Sequence, residues 1–281
     1  VGLIALAAPE VRGTGVAEVM AAITWPRHAL RPIVALARPL AAILTLGTGG
    51  SAGPEGPLAH GGATLAAWLS TALGLSPARR RTLVACASAG AIAAVFESPL
   101  AGLAFALEVV LGGGSASASW AGHWGTVGAL LVATVSAAAV RRALLTPPLL
   151  TPAVKYPTML PVDLLLVAGL GVVAGGLAVL FSWTLSVAEE MFGAWRLPTF
   201  VRPALGGLAV GILAFLLPLE GLPSPLLGPG FGTLDNALRG DVLWSTLALL
   251  VLLKVTATAL TVGSGGSGDV FTPSLVIGGA L

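Results

Sequence analysis

The stretch that decides the fold is Leu44–Gly62, LTLGTGGSAGPEGPLAHGG. It is rich in glycine, its only charge is Glu55, and long apolar runs flank it. Glycines let a backbone leave helical geometry and approach a ligand closely. Proline at Pro57 suits the first turn of a new helix, where the missing N–H would have no partner anyway. The segment therefore reads as a helix end, a break and a helix start. A helix start presents free N–H groups and the positive end of the dipole, which together favour an anion. Away from water those N–H groups are costly without a partner. Glu55 sits at the helix start, so its carboxylate can take the place of an anion and act as a protonatable plug.

The rest of the chain sets this break in a membrane. Of 281 residues, 56% are hydrophobic and only 9% charged, and the mean hydropathy is +0.96. A soluble domain carries about 25% charged residues. Apolar runs recur at Leu30–Leu46, Leu83–Leu111, Val127–Val140, Leu164–Val187, Leu205–Leu217 and Leu243–Val262. A helical span needs about 20 such residues, so these read as membrane helices, some short or broken. Alternating strands are absent and Ala, Leu and Gly dominate, so helices are preferred over a barrel. The reading is an all-α integral membrane protein with several spans.

Other classes find little support. A net charge of +2 does not point to nucleic acid. The single cysteine, Cys86, excludes an internal disulfide and reads as a helix-packing residue. GTGGSAGPEGP lacks the Gly-Lys-Ser/Thr of a phosphate loop. No H-E-x-x-H or paired Cys/His set offers a metal site, and no G-x-S-x-G elbow appears. No enzyme activity, cofactor or metal is expected. His60, one turn past Glu55, reads as a packed helix residue. Arg79–Arg81 read as a solvated loop. Basic residues fall in more than one loop (Arg27, His28 and Arg31; Arg79–Arg81; Arg141 and Arg142), so charge gives no orientation. The chain begins at Val1 and stops at Leu281, both in apolar sequence, and both ends read as truncated.

The two halves of the chain resemble each other. With Pro57 over Pro273, an offset of 216, LTLGTGGSAGPEGP (44–57) lies over LTVGSGGSGDVFTP (260–273). The same offset pairs Arg38 with Lys254, each a lone cation in an apolar run. With a one-residue slip, GTGVAEVM at Gly13 matches GPGFGTLD at Gly228. The expected organisation is a first half over 1–144, a connector over 145–161 and a second half over 162–281, each half incomplete at the outer end. Gly112–Ser119 reads as a further connector. Duplicated membrane halves with broken helices are a mark of secondary transporters, where helix N-termini face the substrate near the midplane.

Four segments in this order resemble the CLC family of chloride channels and chloride/proton antiporters: GTGVAEV (13–19), GPEGP (53–57), AVFESPLAGLAFALEVV (94–110) and GDVFTPSLVIGG (268–279). The resemblance covers essentially the whole chain. It implies an inverted repeat of tilted and broken helices, without the family's first and last helices. It also implies a homodimer with one anion pathway per subunit, in contact with membrane lipid and sited, as a multi-pass protein, in the plasma membrane. By that resemblance Glu55 is the gate. The anion-binding set is Thr14, Gly15, Gly56, Val270 and Phe271, contributed by the Thr14 hydroxyl and by backbone N–H groups. Gly13, Gly53, Pro57 and Pro273 complete the selectivity motifs, and Glu108 matches a pore or proton acid. Arg38 and Lys254 match positions where the family often has lysine, adding positive potential.

The chain departs from the family at several of these positions. Thr14 stands for serine, Ala17 for proline, Pro54 for the usual Arg or Lys, Glu97 for asparagine and Asp269 for glycine. An acid at 269 would repel anions unless paired. Val109 falls where antiporters carry a proton-transfer glutamate, and valine carries no proton. The resemblance thus implies a chloride-selective, channel-like pore. The alternatives are a chloride/proton or fluoride/proton antiporter and, remotely, a membrane scaffold without transport. Ala17, where fluoride exchangers have phenylalanine, argues against fluoride. The only tyrosine, Tyr156, does not match the family's pore tyrosine.

Overall fold

The computed structural model describes residues 1–25, 30–112, 124–145, 161–217, 219, 222 and 225–281. Glycine and proline punctuate these into helices. The helices are α1 (Ile4–Ala7), α2 (Val16–Thr24), α3 (Val34–Gly47), α4 (Glu55–Ala72), α5 (Pro77–Phe96), α6 (Pro99–Phe105), α7 (Trp124–Leu144), α8 (Pro161–Ala194), α9 (Arg202–Leu216), α10 (Phe231–Arg239), α11 (Trp244–Gly263) and α12 (Phe271–Gly279). A 3₁₀ turn spans Pro9–Val11, and a π-helical turn, Ala106–Val110, follows α6. Among the described residues there is no sheet, only isolated bridges of Gly13 with Ser267 and of Gly53 with Asp269. By length and composition α7, residues Val162–Ala194 of α8, and α11 can each cross a membrane.

The helix ends on either side of the two glycine breaks match in register. Helices α3 and α11 stop at Gly47 and Gly263, and α4 and α12 begin at Glu55 and Phe271. Both pairs keep the 216-residue offset. Helices α2 and α10 are nine residues each and start just after Gly15 and Gly230. Those two glycines have φ of +84° and +91°, a left-handed conformation that costs other L-residues about 1–2 kcal/mol.

Two apolar clusters hold the helices together. One joins α2, α4, α5 and α7 through Val19, Ala63, Ala85, Ala89 and Leu130. The other joins α9 to α12 through Val210, Leu234, Leu250 and Val276. Lipid tails are as apolar as the core, so small residues that bring backbones close matter more here than in water. Gly102 of α6 is such a contact: a Cβ there would stand 2.8 Å from Ala93 Cβ and press on the Ala89 carbonyl. Gly102→Val is expected to cost about 1–3 kcal/mol, as overpacking does, and to lower the midpoint of thermal unfolding followed by circular dichroism in detergent. An unchanged midpoint would contradict this packing.

The apolar run Leu83–Leu111 is one of the broken ones: α5 ends at Phe96, Glu97 follows with φ +50°, and Ser98 is extended because Pro99 disfavours helical geometry at the residue before it. Ser98 then caps α6, its hydroxyl accepting from Ala101 N–H at 3.3 Å. Arg79–Arg81 are not a loop but early turns of α5, set by Pro77 at its first position. Of the two connectors, residues 113–119 and 146–160 lie outside the described residues, as do Arg27, His28 and Tyr156.

Candidate functional site

The two glycine breaks meet back to back. Gly53 and Asp269, equivalent in the repeat, exchange backbone hydrogen bonds: Gly53 N–H donates to Asp269 C=O at 2.6 Å and Asp269 N–H to Gly53 C=O at 2.7 Å. Around this bridge the halves clasp reciprocally. Ser267 N–H donates to Thr45 Oγ1 at 3.1 Å, and Ser51 N–H donates to Thr261 Oγ1 at 3.0 Å. Each threonine hydroxyl in turn donates to its own helix, to Ala41 C=O at 3.0 Å and Ala257 C=O at 2.9 Å. Buried backbone groups freed by the breaks thereby find partners in the other half.

The buried cations form a second reciprocal pair. Arg38 and Lys254 are both 0% exposed. Arg38 Nη2 donates to Arg12 C=O at 2.5 Å, just before Gly13-Thr14-Gly15. Lys254 Nζ donates to Gly228 C=O at 2.9 Å and to Leu226 C=O at 3.4 Å. Each cation thus pins the glycine turn of its own half. Glu18 lies 3.6 Å from Arg38 Nη2. Arg38 Nε and Nη1 have no hydrogen-bond partner among the described residues.

Glu55 opens α4 and is 1% exposed. Its Oε1 accepts a hydrogen bond from the Thr272 hydroxyl of α12. Its Oε2 is buried without a partner among the described residues and faces Gly53, where any Cβ would collide with it. Gly56 follows, buried, with the Thr14 carbonyl and the Asp269 carboxylate against its Cα. Thr14 itself is half-buried. Asp269 Oδ1 accepts from Val270 N–H at 2.7 Å. The Phe271 ring is 48% exposed and packs tilted on Phe96, with centroids 5.3 Å apart. Pro57 and Pro273 are buried in the third positions of α4 and α12.

The structure therefore brings Gly13, Thr14, Gly15, Gly53, Glu55, Gly56, Val270 and Phe271 into one region where α2, α4 and α12 begin. It does not bring Glu108 there. Glu108 is exposed on the π-helical turn, and no described hydrogen bond or ion pair joins it to Glu55. Two features escaped sequence reasoning. Thr272 holds Glu55, and Glu97 pairs with Arg141 at 3.1 Å across α5 and α7. His60 packs inside α4, its Nδ1 3.3 Å from Thr64 Oγ1. Among the described residues no group of three His, Cys, Asp or Glu is placed to hold a metal ion.

A family model described as voltage gated chloride channel matches residues 1–281. A ClcB-like chloride channel protein of Ralstonia nicotianae is 32% identical over 95% of this chain and 60% of its own length. The fold resembles that of a slow cyanobacterial Cl⁻/H⁺ antiporter, with a TM-score of 0.84 and 24% identity over 98% of this chain and 64% of that one. It also resembles a CLC-type fluoride/proton antiporter, with a TM-score of 0.74 and 25% identity over 94% of this chain and 64% of that one. The chain thus spans less than two thirds of the length of these relatives.

Proposed function

This chain belongs to the voltage-gated chloride channel family, and we propose that it moves small anions, chloride first, across a membrane through a path gated by Glu55. One observation carries the reading: a carboxylate buried to 1% exposure sits where helix N-termini converge, one oxygen held by Thr272 and the other unpartnered. A group with no other reason to be dry occupies the place that suits an anion. In this reading a dehydrated anion is held by N–H groups near Gly15, Gly56, Val270 and Phe271 and by the Thr14 hydroxyl. Gly13, Gly53, Pro57 and Pro273 shape the turns. Backbone partial charges hold the anion in this reading, with the Arg38 guanidinium buried behind Gly15, and such donors keep binding weak enough for release. Ionised Glu55 closes the path, and protonation or displacement by an anion opens it.

We further propose residues 1–144 and 162–281 as the two inverted halves, joined by 145–161. The active form is a homodimer in lipid, in the plasma membrane, and its work is transport rather than catalysis. Val109, at the position where antiporters of the family carry a proton-transfer acid, favours uncoupled conduction. The solved relatives that are antiporters, one for chloride and one for fluoride, make coupled exchange the second reading.

Liposomes containing the protein and loaded with chloride test this, with chloride efflux and internal pH recorded together and the assay repeated with fluoride. Chloride flux without proton movement is expected. Uphill proton movement driven by chloride would replace the channel reading with exchange. Fluoride flux alone would overturn chloride as the ion, and flux of neither would overturn transport.

A further inference from the structure

We propose that Asp269 is a second tethered carboxylate of the anion site, competing with the permeant anion for the N–H groups at the starts of α4 and α12. The proposal rests on the reading of those N–H groups as an anion site. Asp269 is 8% exposed. Its Oδ1 takes the Val270 N–H at 2.7 Å, and its Oδ2 lies against Gly56 at the start of α4. One of the four backbone donors assigned to the anion is thus held by this side chain, and a second, at Gly56, lies beside it. Gly56 is needed for this approach, because a Cβ there would stand 2.8 Å from Asp269 Oδ2.

A plain helix cap explains part of this geometry. An acid before α12 accepts N–H groups and offsets its dipole. Two further facts go beyond a cap. Asp269 stands at two helices at once, its Oδ2 against Gly56 of α4 and its Oδ1 on the Val270 N–H just before α12. And the site already holds Glu55, whose Oε2 is buried and unpartnered. The two carboxylates therefore share one junction, Glu55 held at Oε1 by the Thr272 hydroxyl and Asp269 at Oδ1 by the Val270 N–H.

The backbone of Asp269 is fixed by its two hydrogen bonds with Gly53, so its carboxylate leaves the donors by side-chain rotation alone. The charged groups facing it are Glu55 at the start of α4 and Arg38 from α3. An N–H engaged by a carboxylate is not free for chloride, so an entering anion must displace Asp269 as well as Glu55.

Calorimetric titration of the detergent-solubilised protein with chloride tests this. Asp269→Gly is expected to bind chloride about tenfold more tightly than wild type, equivalent to ~1.4 kcal/mol, with Asp269→Asn intermediate. A plain cap predicts otherwise: lower thermal stability with chloride affinity unchanged. Unchanged or weaker binding in a folded Gly variant overturns the proposal. So does loss of fold in the Gly variant together with unchanged affinity in the near-isosteric Asn variant. Tighter binding in Glu55→Gln with none in either Asp269 variant sinks this proposal and leaves the anion site standing. No chloride binding in any variant, the Glu55→Gln/Asp269→Gly double included, sinks both.

Discussion

Glu55→Ala is expected to raise chloride flux at neutral pH about tenfold, if the gate blocks some 90% of molecules, and to flatten its dependence on pH. In the wild type, ionised Glu55 competes with the anion and its protonated form does not, so flux should rise as pH falls. Removing the carboxylate removes the competitor at every pH, so the variant should match the acid limit of the wild type throughout. The geometry argues for a gate rather than a structural acid. Oε2 is buried with no partner among the described residues, and an unmade hydrogen bond of that kind costs about 1–3 kcal/mol. Thr272 is the contact that holds the closed position. Thr272→Val should therefore raise flux while keeping its slope with pH, since the titrating group remains. Efflux from liposomes measured across a pH series separates the two variants. A Glu55→Ala protein with the wild-type pH slope would remove Glu55 from the gate.

Gly15→Ala is expected to abolish measurable flux and to lower thermal stability by several kcal/mol. Two costs combine at this residue. Its φ of +84° is left-handed, which penalises a Cβ by about 1–2 kcal/mol. That Cβ would also run into Arg38 Nη1 and stand 2.5 Å from Arg38 Cζ. The guanidinium cannot simply swing aside. It is 0% exposed, and its Nη2 bond to Arg12 C=O at 2.5 Å fixes the turn that carries Thr14. Breaking a buried charge away from its partner typically costs about 3–5 kcal/mol. The same repeat supplies a control. At Gly230 an added Cβ would stand 2.9 Å from Val276 Cγ2 and 3.3 Å from Lys254 Nζ, both side-chain ends that can move. Gly230→Ala should therefore be milder. Thermal unfolding and chloride efflux of the two variants check this, and equal effects at the two positions would contradict the Arg38 clamp.

The sequence by itself determined where the chain turns and what solvent it lives in. Apolar composition is a one-dimensional property, and glycine and proline act on their own φ and N–H groups. The helix end and start about the Glu55 break, and through the 216-residue register the matching pair at Gly263 and Phe271, were therefore readable along the chain. Charge and hydropathy were weaker guides where tertiary context intervened. Arg79–Arg81 looked like a loop yet belong to α5, because Pro77 starts the helix before them.

Only the tertiary structure decided which polar groups meet. Thr45 receives Ser267 and Thr261 receives Ser51. Thr272 holds Glu55, and Asp269 takes the Val270 N–H with its other oxygen beside Gly56 of α4. Glu97 pairs with Arg141, and Glu108 stays outside the site. Most of these partners lie more than 200 residues apart. Their meeting depends on how the two glycine breaks pack about the Gly53–Asp269 bridge, a relation in space that no local propensity encodes. A hydroxyl or a carboxylate reads the same at any exposed or buried position. Burial and the nearest free N–H decide whether it caps, gates or competes.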